Sequence, residues 1–72
     1  QEIVLEFMIN AMRLNEGWTK QLFEETTGFK FSTIEVKING LANLGLITTN
    51  NDTIIPTPKG RMLQDIILTE FV

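Results

Sequence analysis

Residues 2–14 run Glu-Ile-Val-Leu-Glu-Phe-Met-Ile-Asn-Ala-Met-Arg-Leu, a helical stretch with apolar side chains on almost every side. At 100° per residue, Glu2, Glu6, Asn10 and Arg13 crowd into about 80° of arc, and apolar residues cover the rest. A surface helix needs an apolar stripe only about 100° wide. The pattern predicts a helix over residues 2–15, closed at Gly17, with one apolar face for this domain's core and another for a neighbour. Leu5, Ile9 and Met12 lie roughly opposite Ile3, Phe7 and Leu14, so one set is expected to stay exposed. Leu5, Ile9 and Met12, with Leu68, Phe71 and Val72 near the end of the chain, make the candidate interdomain face. Such a chain reads as a piece of a larger protein.

Composition excludes several chemistries. With 72 residues the chain is read as one domain, 1–72, near the size at which a single core becomes marginal. It has no cysteine for a disulfide or a thiolate ligand, and no histidine, the commonest general base and transition-metal ligand. No catalytic, cofactor-binding or metal-ligating set is legible. The chain opens on Gln1 and shows neither a signal peptide nor a spanning apolar run, so a soluble, cytoplasmic module without membrane insertion is expected.

Turn and capping signals divide the remainder. Thr19 is placed to cap a second helix over residues 20–27, closed by Gly28, with Trp18 and Phe23 spaced as a hydrophobic staple. Ser32 and Glu35 have the spacing of a capping box, and Phe31 and Val36 that of a second staple, for a third helix whose apolar stripe is Ile34, Ile38, Leu41 and Ala42. Gly45 ends it. Two β-rich runs, residues 46–49 and 53–55, flank Asn50-Asn51-Asp52, a hairpin signal. Thr57-Pro58 then opens a last helix, with Met62, Leu63, Ile66 and Ile67 on one side and Leu68, Phe71 and Val72 spreading onto the other. Three helices, a two-stranded wing and a C-terminal helix give a mainly α chain with a small β-hairpin, in the order of a winged helix-turn-helix.

That order suggests DNA binding through the third helix, but the charges oppose it. Between residues 29 and 58, Lys30 and Lys37 are balanced by Glu35 and Asp52, and the whole chain carries −3. The outward positions of the third helix, Glu35, Val36, Asn39, Gly40 and Asn43, include no arginine, and phosphate contacts supply most non-specific affinity. No nucleic-acid partner is therefore expected. Gly40-x4-Gly45 lacks the Lys-Ser/Thr of a phosphate loop and ends a helix where a phosphate loop would begin one. Asn51-Asp52-Thr53 has the form of a glycosylation acceptor but follows no secretory signal. Glu24-Glu25 reads as a solvated helix edge. Arg13, in the last turn of the first helix, suits the helix dipole and is also a candidate carboxylate contact.

The run Glu6-Phe7-Met8-x-Asn10-Ala11-x-Arg13-Leu14-x-x-Gly17, with Phe23-Glu24-x-x-Thr27-Gly28, Ile34, Leu41, Gly45-Leu46-Ile47 and Thr57-x-Lys59-Gly60-Arg61, carries a resemblance over essentially the whole chain. It resembles the C-terminal domain of the oxygen-independent coproporphyrinogen III oxidase-like proteins, the HemN/HemW radical SAM family of haem metabolism. Arg13-Leu14-x-x-Gly17 is more similar to the haem-chaperone (HemW-like) branch. The resemblance implies a parent with a radical SAM barrel, a three-cysteine motif holding a 4Fe-4S cluster, bound S-adenosylmethionine, and porphyrin or haem as ligand. It leaves the parent as either an oxidase or a haem chaperone. No catalytic residue of that family carries over to a chain without cysteine. The implied role is a non-catalytic accessory domain that packs on the barrel and helps enclose or position a porphyrin. The alternative is a free-standing winged-helix module of a transcription regulator, binding DNA or protein.

Overall fold

A computed structural model describes residues 2–72. The elements, in order, are α1 (Glu2–Ala11), β1 (Trp18–Thr19), α2 (Lys20–Thr27), a 3-10 turn (Phe31–Thr33), α3 (Glu35–Asn43), β2 (Ile47–Asn50), β3 (Thr53–Pro56), α4 (Pro58–Met62) and α5 (Gln64–Thr69). The strands form one antiparallel sheet in the order β1-β3-β2. The mainly helical winged-helix order read from the sequence is the observed one, with a third strand added.

The first helix is shorter than its apolar run. After Ala11 the backbone tightens, with Arg13 N–H donating to the Asn10 carbonyl at 3.3 Å and Leu14 N–H to the Ala11 carbonyl at 3.0 Å. These i→i−3 bonds end the helix, while Met12 N–H still donates to the Met8 carbonyl at 3.0 Å in the helical i→i−4 pattern. Gly17 serves a different purpose from the helix stop expected of it. Its φ is +83°, and a Cβ there would press into the Ile54 carbonyl of β3. Only glycine meets both demands, and this lets Trp18 pair with Ile54 and Thr19 with Thr53. A two-residue strand carries almost no pattern, so the sequence reading missed β1.

Thr19 caps α2 as expected, its hydroxyl accepting from Leu22 N–H at 3.0 Å, and Gly28 closes the helix with φ 80°. The staple pair sits inside an aromatic cluster. Phe7 meets Trp18 and Phe23 edge-on at centroid distances of 5.1 and 5.3 Å, and Phe23 meets Phe31 edge-on at 6.0 Å. Edge-to-face pairs add about 0.5–1.5 kcal/mol each beyond burial. Met8, Ile38, Leu41, Ile47, Ile54 and Ile67 complete the core around them.

The start of α3 departs from expectation. Ser32 lies in the 3-10 turn, Ile34 precedes the helix without a side-chain cap, and Val36 is 83% exposed, so neither the capping box nor the Phe31–Val36 staple forms. Phe31 is drawn into the aromatic cluster instead. Its N–H donates to Glu24 Oε2 at 2.8 Å, so the carboxylate read as a solvated edge holds the turn. Ile34, Ile38 and Leu41 are buried as the stripe required, and Ala42 is partly buried against them.

The hairpin forms around Asn51, whose φ is 57°, with Asn50 paired to Thr53. Lys20 N–H donates to the Asp52 carbonyl at 2.9 Å, tying the hairpin tip to the start of α2. The Lys20–Asp52 ion pair beside it, at 4.0 Å and open to water, adds little. Thr57 accepts from Gly60 N–H at 3.0 Å and donates to the Gly45 carbonyl at 2.7 Å, fastening α4 to the end of α3. Thr57→Ala removes both bonds and is expected to cost about 2 kcal/mol in a denaturant titration. A loss below about 0.5 kcal/mol would show the hydroxyl to be dispensable.

The single last helix expected from the sequence is two helices. Leu63, at φ −114° and ψ 38°, breaks it. The break re-aims the second half so that Ile67 and Phe71 enter the core, while Met62, Ile66 and Val72 stay exposed. The side that a continuous helix would share among Met62, Leu63, Ile66 and Ile67 is therefore split, with Ile67 buried and Met62 and Ile66 exposed.

Candidate functional site

The expected division of α1 into a core set and an exposed set does not occur. Met12, at 1% exposure, and Phe71, at 3%, are core residues and cannot belong to an accessible face. Leu5 and Leu68 are partly buried against the core, while Ile9 and Val72 remain exposed. In the opposite set Phe7 is buried and Ile3 and Leu14 are exposed. The physical reason is that the core-facing arc falls between the two sets, with Met12 one turn beyond Met8 at its edge. Val4, Phe7, Met8 and Ala11 define one buried arc on α1, and exposed apolar residues flank it on both sides.

On one flank, Ile3, Asn10 and Leu14 of the α1 segment join Leu22 and Thr26 of α2 around a groove of about 510 Å³, with Glu6 at its edge and Phe7 and Ala11 also lining it. Ile3 is 52% exposed, Leu14 44% and Leu22 40%, so three large apolar side chains meet water around one concavity. The sequence reading had Ile3 and Leu14 on the opposing set but missed Leu22. Its spacing from Thr19 made it the partner of a capping bond, and nothing in the pattern of α2 marked it as part of a surface. Contiguous exposed apolar surface on a small domain usually marks an interface.

A smaller hollow of about 240 Å³ lies among Val4, Phe29, Thr33, Ile34, Lys37 and Phe71. The Lys37 ammonium stands 5.6 Å from the centre of the Phe71 ring there, a cation–π contact over the end of the chain.

Arg13 is exposed, lies just past α1, and makes no ion pair among the described residues. The cation that does hold this region is Arg61, which sequence reasoning left unassigned. Its guanidinium donates to Asn15 Oδ1 at 2.8 Å and to the Asn15 carbonyl at 3.0 Å, while Gln64 Nε2 donates to the Met12 carbonyl at 3.3 Å. These bonds pin the loop after α1 to α4 and α5 and so fix the end of the groove where Leu14 stands.

The outward residues of α3, Glu35, Val36, Asn39, Gly40 and Asn43, are all exposed, as is the hairpin tip, which carries Asp52 and no cation. Among the described residues no group of three or more His, Cys, Asp or Glu could hold a metal ion, and no helix is long and apolar enough to cross a membrane.

The larger of the two concavities described on this winged-helix domain is an apolar groove between its first two helices. The family model described as the HemN C-terminal domain matches residues 1–63, and the chain belongs to that family. Comparison with curated proteins gives no match, and comparison with solved structures gives none.

Proposed function

We propose that this domain is the non-catalytic C-terminal accessory domain of a radical SAM protein of the oxygen-independent coproporphyrinogen III oxidase type, nearer the haem-chaperone branch. It packs on the catalytic barrel and helps enclose or position a porphyrin. The match to the HemN C-terminal domain over residues 1–63 is the observation that carries this reading. The exposed apolar groove supports it, because a module that works by packing needs such a surface.

The chain's own residues do not fit an iron–sulfur cluster. It has neither thiolate nor imidazole, so a 4Fe-4S cluster and S-adenosylmethionine belong to the barrel in this reading. What the domain contributes is shape and apolar surface rather than a reacting group.

Two measurements test the proposal. Extending the reading frame upstream should reveal a Cys-x3-Cys-x2-Cys motif ahead of this domain, and its absence would sink the radical SAM parent. Fluorescence anisotropy with mixed-sequence duplex should show no appreciable binding at physiological salt. Micromolar or tighter binding with a steep salt slope would favour a winged-helix regulator instead.

A further inference from the structure

The groove between α1 and α2 is largely apolar, Glu6 is the one charged residue lining it, and Glu2 and Glu25 are exposed on the same two helices. Phe7 and Ala11 are buried beneath it, and Ile3, Leu14 and Leu22 rise around it. Glu6 lines the α1 side, with Glu2 one turn earlier on the same polar arc. On α2, Glu25 stands one turn beyond Leu22, its carboxylate held by Gln21 Nε2 at 2.9 Å. No lysine or arginine lines the groove. The cations around it are Arg13, exposed past the end of α1, Arg61, whose guanidinium is held on Asn15 next to Leu14, and Lys20, whose ammonium is turned toward Asp52 and the Phe31 ring.

We propose that this groove receives a cationic amphipathic helix of the partner on which the domain packs, with aliphatic side chains entering between Ile3, Leu14 and Leu22 and lysine or arginine facing Glu6 and Glu25. The proposal rests on the packing role given above and names the face and the chemistry of the segment that meets it. Charge decides among occupants. A second copy of this chain carries the same net charge of −3, so a pair would form against an overall repulsion. A nucleic acid or an anionic membrane surface would be repelled by the same net charge. A basic helix satisfies both features at once: its apolar face removes the three exposed side chains from water, and its flanking cations fix the register.

The test titrates two synthetic helical peptides into the isotopically labelled chain, followed by amide resonances. Both peptides have leucine at i, i+3, i+4 and i+7. One has lysine on its polar face and the other has glutamate. The lysine peptide is expected to shift resonances around Ile3, Leu14 and Leu22, and the glutamate peptide to leave them in place. Glu6→Lys with Glu25→Lys should weaken binding at least about tenfold, and so should Leu22→Ser. All three side chains are exposed, and far-ultraviolet circular dichroism checks that the variants stay folded. Equal binding of both peptides, shifts mapping away from the groove, or groove shifts that follow protein concentration alone would each overturn the assignment.

A pull-down with the purified barrel of the parent separates this proposal from the reading beneath it. A complex that forms and ignores Leu22→Ser and the double charge reversal leaves packing intact and removes the groove. No complex by any face removes the packing role itself.

Discussion

Gly60→Ala is expected to lose more than half of the domain's stability, although it adds one methyl group to a helix. A Cβ on Gly60 would press into the Leu46 carbonyl oxygen, with the carbonyl carbon 2.9 Å away and Ile67 Cδ1 at 3.3 Å. The obstacle is backbone, not the end of a flexible side chain. That same carbonyl accepts Thr57 N–H at 3.0 Å, so moving it breaks the bond that leads from the hairpin into α4. Overpacking of this kind costs about 3 kcal/mol, against about 5 kcal/mol in total for a small domain. In urea the midpoint should fall by about 2–3 M, since a small protein has a slope near 1 kcal/mol/M. Trp18, the single tryptophan and almost wholly buried, reports the transition by its emission. An unchanged midpoint would show that α4 can slide away from β2, contrary to the packing described.

Trp18→Ala should be the most damaging truncation, about 4 kcal/mol, or a fall of about 20 °C in melting temperature. The indole fills the space among Phe7, Phe23 and Phe31 and belongs to the strand that pairs with β3. Its Nε1–H is buried without a hydrogen-bond partner, so the indole's worth here lies in ring packing and not in its polar edge. Trp18→Phe keeps an aromatic ring and removes the unpaired donor, and should cost much less than the alanine change. Thermal melts followed by circular dichroism compare the two. Equal losses would mean that a smaller aromatic ring recovers none of the packing and that the site requires the whole indole.

Local signals were legible wherever a residue acts within its own turn. Thr19, Gly28, Asn51 and Thr57-Pro58 each do what their side chains or allowed dihedrals permit, without help from distant chain. The buried stripe of α3 followed from spacing for the same reason. Failures came where a distant residue overrode a local choice. Ser32 and Glu35 had the spacing of a capping box, but Phe31 gains more from the aromatic cluster than the box offers, and Glu24 supplies its N–H acceptor. Met62 and Ile66 shared a side with Ile67 on an unbroken helix, and the break at Leu63 leaves only Ile67 of the three buried. The proposed face was the least legible. The wheel grouped Met12 with Leu5 and Ile9 although the core arc reaches it from Met8, it kept Ile3 and Leu14 together as they stand, and Leu22 joins the groove only because α2 packs beside α1.

The pairing of Trp18 with Ile54 also bears on how the chain is made. Helical contacts close within microseconds, but this bridge waits for a partner 36 positions later in the chain. At about 5–20 residues per second, translation leaves the tryptophan uncovered for a few seconds after it emerges. Through that interval Phe7, Trp18 and Phe23 form an unlidded aromatic surface on a nascent chain. Slowing translation while residues 20–54 leave the ribosome would lengthen that exposure and the opportunity for a chaperone, or a neighbouring chain, to take the place that β3 later fills.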